Sequence, residues 1–173
     1  MQEIFLTTTA EMTAALKDHF VPHLRKAGFR GSFPNFHRDD DDFVCLVNVQ
    51  FNSVGERFCI NLGFADVERR NVVTHCRDLE PKKLRFSMTG ALIEGNNHLS
   101  GRWRVGAQPL GDGIYGDSWF SYAPGQYGED RSVVAVDPGM LARHCTALFE
   151  KESDTWWAER RAFATGMATR PKA

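Results

Sequence analysis

The chain has 173 residues, a mass of 19.5 kDa and a formal net charge of −1, with 42% hydrophobic and 25% charged residues. This length fits one domain, so we predict a single domain over residues 1–173. No apolar run approaches the roughly 20 residues of a membrane-spanning helix and no secretory signal is recognisable, so we expect a cytoplasmic protein without a membrane partner. The absence of a basic excess makes a nucleic-acid partner unlikely.

Residues 8–28 form the first predicted element, an amphipathic helix. Its apolar residues recur at intervals of four, namely Met12, Leu16, Phe20 and Leu24. Thr8 and Glu11 have capping-box spacing, and Gly28 stands where a helix C-cap belongs. Pro22 lacks the backbone donor that a helix interior needs, so we predict a kink there or two shorter helices.

Two predicted strands over residues 43–52 and 57–64 alternate between an apolar and a more polar face. A turn centred on Val54 and Gly55 pairs apolar residues with one another: Cys45 with Phe64, Val47 with Leu62, Val49 with Ile60 and Phe51 with Phe58. The other face carries Val44 and Leu46 and pairs Asn48 with Asn61, Gln50 with Cys59 and Asn52 with Arg57. Because Cys45 and Cys59 then lie on opposite faces, we expect reduced thiols, most of them buried.

Four consecutive aspartates, Asp39, Asp40, Asp41 and Asp42, precede these strands. A turn centred on Asp40 and Asp41 places Phe36 opposite Cys45 and Arg38 opposite Phe43, so a three-stranded meander is predicted over about residues 33–66. Consecutive side chains in extended chain point alternately apart and lack the spacing of an EF-hand loop. We therefore predict a solvated turn, with no metal ion.

The sequence signals weaken beyond residue 66. A short helix is predicted over residues 67–79 and an irregular or strand-like stretch over residues 81–93. The glycine-rich region 95–130 includes predicted strands near residues 101–105 and 117–123.

The last part of the chain is predicted to be mainly helical after a short strand at residues 132–136. Asp137 and Pro138 are typical of a helix start, residues 154–164 predict a further helix, and residues 165–173 predict a loose tail. The expected fold is α+β. Its antiparallel sheet begins with the meander, and the N-terminal helix and the C-terminal helices pack on one face.

Two motifs resemble functional patterns without their structural context. The sequence GDGIYG at residues 111–116 has dinucleotide-binding spacing, but a strand-like segment follows it where a helix N-terminus is needed. His19 and His23 have the spacing of zinc-binding histidines, but the intervening residues lack the glutamate of such motifs. Neither pattern predicts a cofactor.

The adjacent pairs His75-Cys76 and His144-Cys145 are candidates for a Cys/His site or an activated thiolate. Cys145 also lies on an apolar helix stripe, where thiols are commonly inert. An enzyme or small-ligand binder therefore remains an alternative, with His75, Cys76 or His98 at the rim of a pocket beside the glycine-rich region 95–130.

The polar face of the predicted sheet is unusually rich in side-chain amides. Its members are Asn48, Gln50, Asn52, Arg57 and Asn61. Asparagine is depleted in strands, so this cluster indicates a face open to water or to a polar partner.

The segments FVPHLRKAGFRG, NFHRDDDDFVCLVNVQFN and FCINLGF within about residues 21–64 resemble the bacterial family called domain of unknown function 4304. The later segments HCRDL and DSWFSY are similar to further parts of that family, which extends the resemblance to about residues 10–150. It implies a small intracellular α+β domain and no catalytic residues.

The sequence favours a non-catalytic protein-binding domain, most concretely an immunity-type inhibitor that occludes a bacterial toxin. The expected contacts are the aspartates Asp39 to Asp42 and the polar face, with charge complementarity to a basic partner speeding association. No catalytic residue and no cofactor are predicted, and the oligomeric state is left open.

Overall fold

The computed structural model describes residues 7–107, 109–111, 114–115, 118–123 and 136–169. Its helices are α1 (Thr9–Lys26) and α2 (Pro138–Thr169). Its strands are β1 (Arg30–Ser32), β2 (Asn35–Asp39), β3 (Phe43–Phe51), β4 (Arg57–Asp66), β5 (Leu92–Glu94), β6 (Asn97–Leu99), β7 (Arg102–Arg104), β8 (Pro109–Gly111), β9 (Ile114–Tyr115) and β10 (Phe120–Ser121). The predicted α+β class with an antiparallel sheet is confirmed. Over the described residues, neither helix has an apolar stretch that could cross a bilayer.

Helix α1 has the predicted ends. The Thr8 side chain accepts from the Glu11 backbone N–H, and the Glu11 carboxylate accepts from the Thr8 backbone N–H, which completes the capping box. At the other end Gly28 has a φ of +87°, and the Phe29 N–H donates to the Leu24 carbonyl, as in a Schellman motif. Pro22 does not divide the helix, which is one continuous element.

The main sheet has the order β1-β2-β3-β4, and both β10 and β7 pair with the outer edge of β4. All these pairings are antiparallel. The predicted register of β3 and β4 is confirmed, with Asn48 opposite Asn61 and Phe51 opposite Phe58. Strands β7 and β10 confirm the strands predicted near residues 101–105 and 117–123.

The predicted register of β2 and β3 is wrong by two residues. Phe36 pairs with Val47 rather than Cys45, and Arg38 pairs with Cys45 rather than Phe43. The turn is centred one residue later than predicted, because Asp41 adopts a φ of 61° and the Asp40 N–H bonds to the Phe43 carbonyl at 2.9 Å. A shift of two residues preserves which side chains share a face, so the apolar pattern could not detect it.

The helices and the sheet enclose the main core. Both α1 and α2 pack on the sheet face that carries Cys45, Val47, Ile60 and Leu62, all fully buried. A second core forms on the opposite, outer face, from Val44, Leu46, Ala65, Val72, Cys76 and Leu84.

The segment over residues 67–91 covers part of the outer face through short 3₁₀ helices at Thr74–Cys76, Pro81–Lys83 and Phe86–Met88. In place of the predicted short helix over residues 67–79 there is thus a single 3₁₀ turn. All four cysteines are buried free thiols.

Helix α2 begins where predicted, with the Met140 N–H donating to Asp137 Oδ1 at 2.7 Å. The prediction of separate C-terminal helices is wrong, because one helix of 32 residues runs from Pro138 to Thr169. An apolar stripe that continues past Trp157 to Phe163 keeps the helix against the sheet. Apart from Val136, the predicted strand at residues 132–136 lies outside the described residues, as do residues 170–173.

Candidate functional site

A row of side-chain amides crosses the outer face beside the second core. This amide row consists of Asn35, Asn48, Gln50 and Asn61. Asn48 Nδ2 donates to Asn35 Oδ1 at 3.0 Å, and Asn61 Nδ2 donates to Asn48 Oδ1 at 3.1 Å and to Gln50 Oε1 at 3.2 Å. The register explains the row, because Asn35 lies directly opposite Asn48, which lies directly opposite Asn61.

Asn61 is the central member of the amide row and is only 1% exposed. Its amide nitrogen has two acceptors within the row, while its Oδ1 accepts from Arg104 Nε at 3.2 Å and from Cys59 Sγ at 3.6 Å. Every polar atom of this buried amide therefore has a partner, as burial requires. Exposure increases outward from Asn61, since Asn48 is half-buried and Gln50 is exposed.

The β4 edge of the row ends in a cation–π cluster. Strand β7 places Arg104 opposite Asn61, and its guanidinium lies 4.7 Å from the centroid of the Trp119 ring. The guanidinium of Arg57 lies 5.8 Å from the same ring. We name the amide row together with Arg57, Arg104 and Trp119 the amide surface.

The β2 edge of the row is also basic. His37 lies two residues along β2 from Asn35, on the same face. Burial lowers the pKa of His37 below its usual value of 6.5, and the charges of Arg85 and Arg30 lower it further, against the opposing charge of Asp39. A net positive potential therefore acts on this edge, so the amide row lies between two basic groups.

The structure separates the predicted site residues into two places. Asp39 to Asp42 lie before β3, whereas Gln50 lies at its far end, about 25 Å away for a strand rise of about 3.3 Å per residue. Asp40 is half-buried in an ion pair with Arg38 at 2.9 Å, whereas Asp39, Asp41 and Asp42 are exposed.

Asn52 and Arg57, the remaining predicted contacts, stand at the β3–β4 turn. Asn52 Oδ1 accepts from the backbone N–H of Glu56 at 2.9 Å and of Arg57 at 3.0 Å. Asn52 thus orders the turn, while the exposed Arg57 side chain reaches Trp119.

Sequence reasoning missed three members of the amide surface: Asn35, Arg104 and Trp119. The correct β2–β3 register would have paired Asn35 with Asn48. No periodic pattern could place Arg104, which lies in β7, or Trp119, which directly precedes β10, because these two short strands reach β4 from distant parts of the chain.

The other chemical candidates lie elsewhere. Cys76 is buried in the second core, while His75 and His98 are exposed on separate segments. Burial raises the pKa of Cys145 to about 12 and also raises that of Cys45, so both remain protonated thiols near neutral pH. Within the part of the chain that the structure describes, no three His, Cys, Asp or Glu side chains are grouped as a metal site.

Comparison with protein families gives one match, to the family described as Domain of unknown function (DUF4304), over residues 20–96. This range contains only the C-terminal part of α1, from residue 20 to its end, and all of β1 to β4, and therefore the whole amide row, but it ends before β7 and Trp119. Comparisons with curated proteins and with solved structures give no significant match. Over residues 20–96, which are less than half of its length, the chain resembles the DUF4304 family.

Proposed function

We propose that this protein is a non-catalytic protein-binding domain that contacts its partner through the amide surface. The observation that carries the proposal is the hydrogen-bonded amide row, which is buried at Asn61 and reaches solvent at Gln50. Strand positions seldom carry such amides, and here the row leads from the buried Asn61 through the half-buried Asn48 to the exposed Gln50. A row of donors and acceptors that reaches solvent at one end suits recognition of a polar partner.

The rigidity of the amide surface favours binding. Asn48 and Asn61 are held by cross-strand hydrogen bonds, and Arg104 is held between Asn61 and the Trp119 ring. Side chains that are already ordered lose little conformational entropy when a partner binds, so more of the contact energy contributes to affinity. Arginine and tryptophan are also the residue types most often found at interface hot spots.

The charge of this surface indicates an acidic partner. Arg57 and Arg104 lie at one edge of the row, and the positive potential at His37 marks the other. This differs from the sequence-based expectation of a basic partner attracted by Asp39 to Asp42. Because the aspartate turn and the far end of the amide surface are about 25 Å apart by strand rise, variants can test each of them separately.

Its most concrete form is an immunity-type inhibitor, in which the amide surface covers the active site of a bacterial toxin. Non-catalytic occlusion is supported by the buried, protonated thiols of Cys45 and Cys145, which are poor nucleophiles. It is also supported by the amide row itself, whose groups donate and accept hydrogen bonds but do not titrate near neutral pH.

The test begins with the product of the adjacent open reading frame as the candidate partner. Purified wild-type protein is expected to bind it and to protect cells that express it. Arg57→Glu should weaken binding at least about tenfold by reversing one charge of the amide surface. Lys151→Glu, an equal charge change at an exposed position of α2, is the matched control and should leave binding unchanged.

A triple variant, Asp39→Asn, Asp41→Asn and Asp42→Asn, distinguishes the two surfaces. It should bind normally if the amide surface is the interface. Loss of binding in the triple variant together with normal binding by Arg57→Glu would move the interface to the aspartate turn. Failure of the wild-type protein both to bind that product and to protect cells that express it would overturn the protein-binding proposal.

A further inference from the structure

A cleft of about 270 Å³ opens between α1 and α2, on the side of the molecule opposite the amide surface. Phe20 and His23 of α1 contact Phe149 of α2, and Phe29, which follows α1, contacts both Phe149 and Trp157. The cleft lies at the end of this contact, where α1 finishes and the chain enters β1. Its volume is slightly below the roughly 300–1,000 Å³ of drug-binding pockets, which suits a smaller ligand.

Arg38 supplies an ordered guanidinium group at this cleft, ion-paired with Asp40. Its side chain is on the helix-facing side of β2, beside the buried residues Phe36 and Cys45. Arg38 Nε lies 2.9 Å from Asp40 Oδ1, and its Nη2 donates to Asp40 Oδ2 at 3.0 Å. The guanidinium also lies 4.9 Å from the Phe29 ring centroid, which holds it in one plane.

The hydrogen bonds of Arg38 leave one donor for a ligand. Nε and Nη2 donate to Asp40 and Cys45, and Nη1 donates one hydrogen to the Ala27 carbonyl at 3.1 Å. A guanidinium has five N–H donors. The second Nη1 hydrogen therefore has no acceptor among the described residues, although Arg38 lines the cleft.

The two helical walls of the cleft have opposite charge. Glu150 and Asp154 lie four residues apart on one face of α2, and His23 and Lys26 lie three apart on one face of α1. In the described ranges no ion pair joins these two walls. Both the acidic and the basic wall are therefore available to a ligand, and a ligand of either single charge would be repelled by one of them.

Aromatic side chains lie between the walls. Phe29, Phe149 and Trp157 line the cleft and belong to the main core. They give the inner end of the cleft an apolar surface, while its charged walls face the exposed rim. A ligand that matches both parts needs an apolar group and two opposite charges.

We propose that this cleft binds a small zwitterion, namely an α-amino acid with an apolar side chain. Its carboxylate accepts from Arg38 and Lys26, its ammonium group donates to Glu150 and Asp154, and its side chain enters the aromatic end. Nothing in this site depends on the amide surface, so each proposal can fail without the other.

The test uses L-leucine, L-methionine and L-phenylalanine as probes, with two analogues of phenylalanine that each lack one charge. Phenethylamine lacks the carboxylate and 3-phenylpropionate lacks the ammonium group. Titration of the wild-type chain, followed by amide chemical shifts and calorimetry, should give saturable binding of at least one amino acid. The amide chemical shift changes should be centred on the cleft. If phenylalanine binds, each of its two analogues should bind at least about tenfold more weakly than phenylalanine itself.

Surface variants avoid the risk that replacing Arg38 prevents folding. The double variant Glu150→Gln and Asp154→Asn should weaken the amino acid about tenfold, while 3-phenylpropionate should bind equally or more tightly. Glu159→Gln, an exposed α2 position outside the cleft lining, is the control and should change neither. No saturable binding of any of the three amino acids would overturn the proposal, as would 3-phenylpropionate binding as tightly as phenylalanine.

Discussion

The two halves of the outer sheet face differ completely although they lie on the same strands. At one end Val44, Leu46 and Ala65 pack under residues 67–91 and form the second core. Two residues further along β3, Asn48 pairs with Asn61 and the surface opens to solvent at Gln50. The covered half is stabilised by burial against a distant segment. The amide half, where Cys59 and Asn61 are also buried, satisfies its polar groups mainly across neighbouring strands.

Close backbone contacts hold residues 67–91, the segment that covers the apolar half, against the sheet. Asn71 Nδ2 donates to the Phe64 carbonyl at 2.6 Å and to the Gly90 carbonyl at 3.1 Å, which ties both ends of the covering segment to β4. A Cβ at Gly101 would lie 1.9 Å from the Gly90 carbonyl oxygen, so only glycine fits where β7 begins. The covering segment is therefore held close to β4 and to the start of β7.

The largest expected effect is on the covered half. Leu46→Ala should lower the free energy of unfolding by about 2–5 kcal/mol, because it removes buried methyl groups and leaves a cavity under the cover. Urea denaturation measures this loss, and the partner affinity of the folded fraction should be unchanged. A loss below about 1 kcal/mol would mean that residues 67–91 do not form a packed core with the sheet.

Asn61→Ala should cost less, about 1–3 kcal/mol. The substitution removes the buried amide of Asn61, which donates to Asn48 Oδ1 and accepts from Arg104 Nε. Denaturation of Asn61→Ala and of Asn48→Ala should show the larger loss for Asn61, since Asn48 is only half-buried. Equal losses would indicate that the amide row does not act through burial.

His37 lies opposite Leu46, at the boundary of the two halves, and provides a test by pH. Its pKa in the folded protein is below 6.5, mainly through burial and then through Arg85 and Arg30, so the unfolded state binds more protons in acid. The contribution of neutral His37 to the free energy of unfolding is complete above about pH 6.5 and is lost as the pH falls below that value. When the pH is lowered from about 7 to about 5, the free energy of unfolding of His37→Asn should therefore fall less than that of the wild type.

Denaturation midpoints across this pH range measure the effect. His75→Asn, at an exposed position in the covering segment, controls for the loss of a histidine. An unchanged pH slope in His37→Asn, or an equal change in His75→Asn, would contradict a lowered pKa of His37 in the folded protein.

Gln50→Ala should have the smallest effect on stability, within about 0.5 kcal/mol, because Gln50 is exposed. Its effect should appear instead in partner binding, which isothermal titration can measure against the wild type. A large loss of stability would show that the open end of the row is part of the core rather than a contact surface.

Local sequence patterns predicted the parts of the fold that depend on neighbouring residues. The capping box at Thr8 and Glu11 and the register that pairs Asn48 with Asn61 both come from short-range spacing. The β2–β3 register could not be predicted in the same way, because a shift of two residues leaves every side chain on its face. The unbroken α2 was missed because two apolar stretches of one helix resemble two helices.

Short-range patterns were enough to predict the amphipathic first helix, the central hairpin and the presence of an amide-rich face. The packing of distant segments set the rest: residues 67–91 cover one half of this face, Arg104 and Trp119 complete the other, and Arg38 lines a cleft between the helices. Periodicity reports which side of a strand or helix a residue occupies. Which distant segment covers that side depends on the packing of the whole chain, and no local pattern records it.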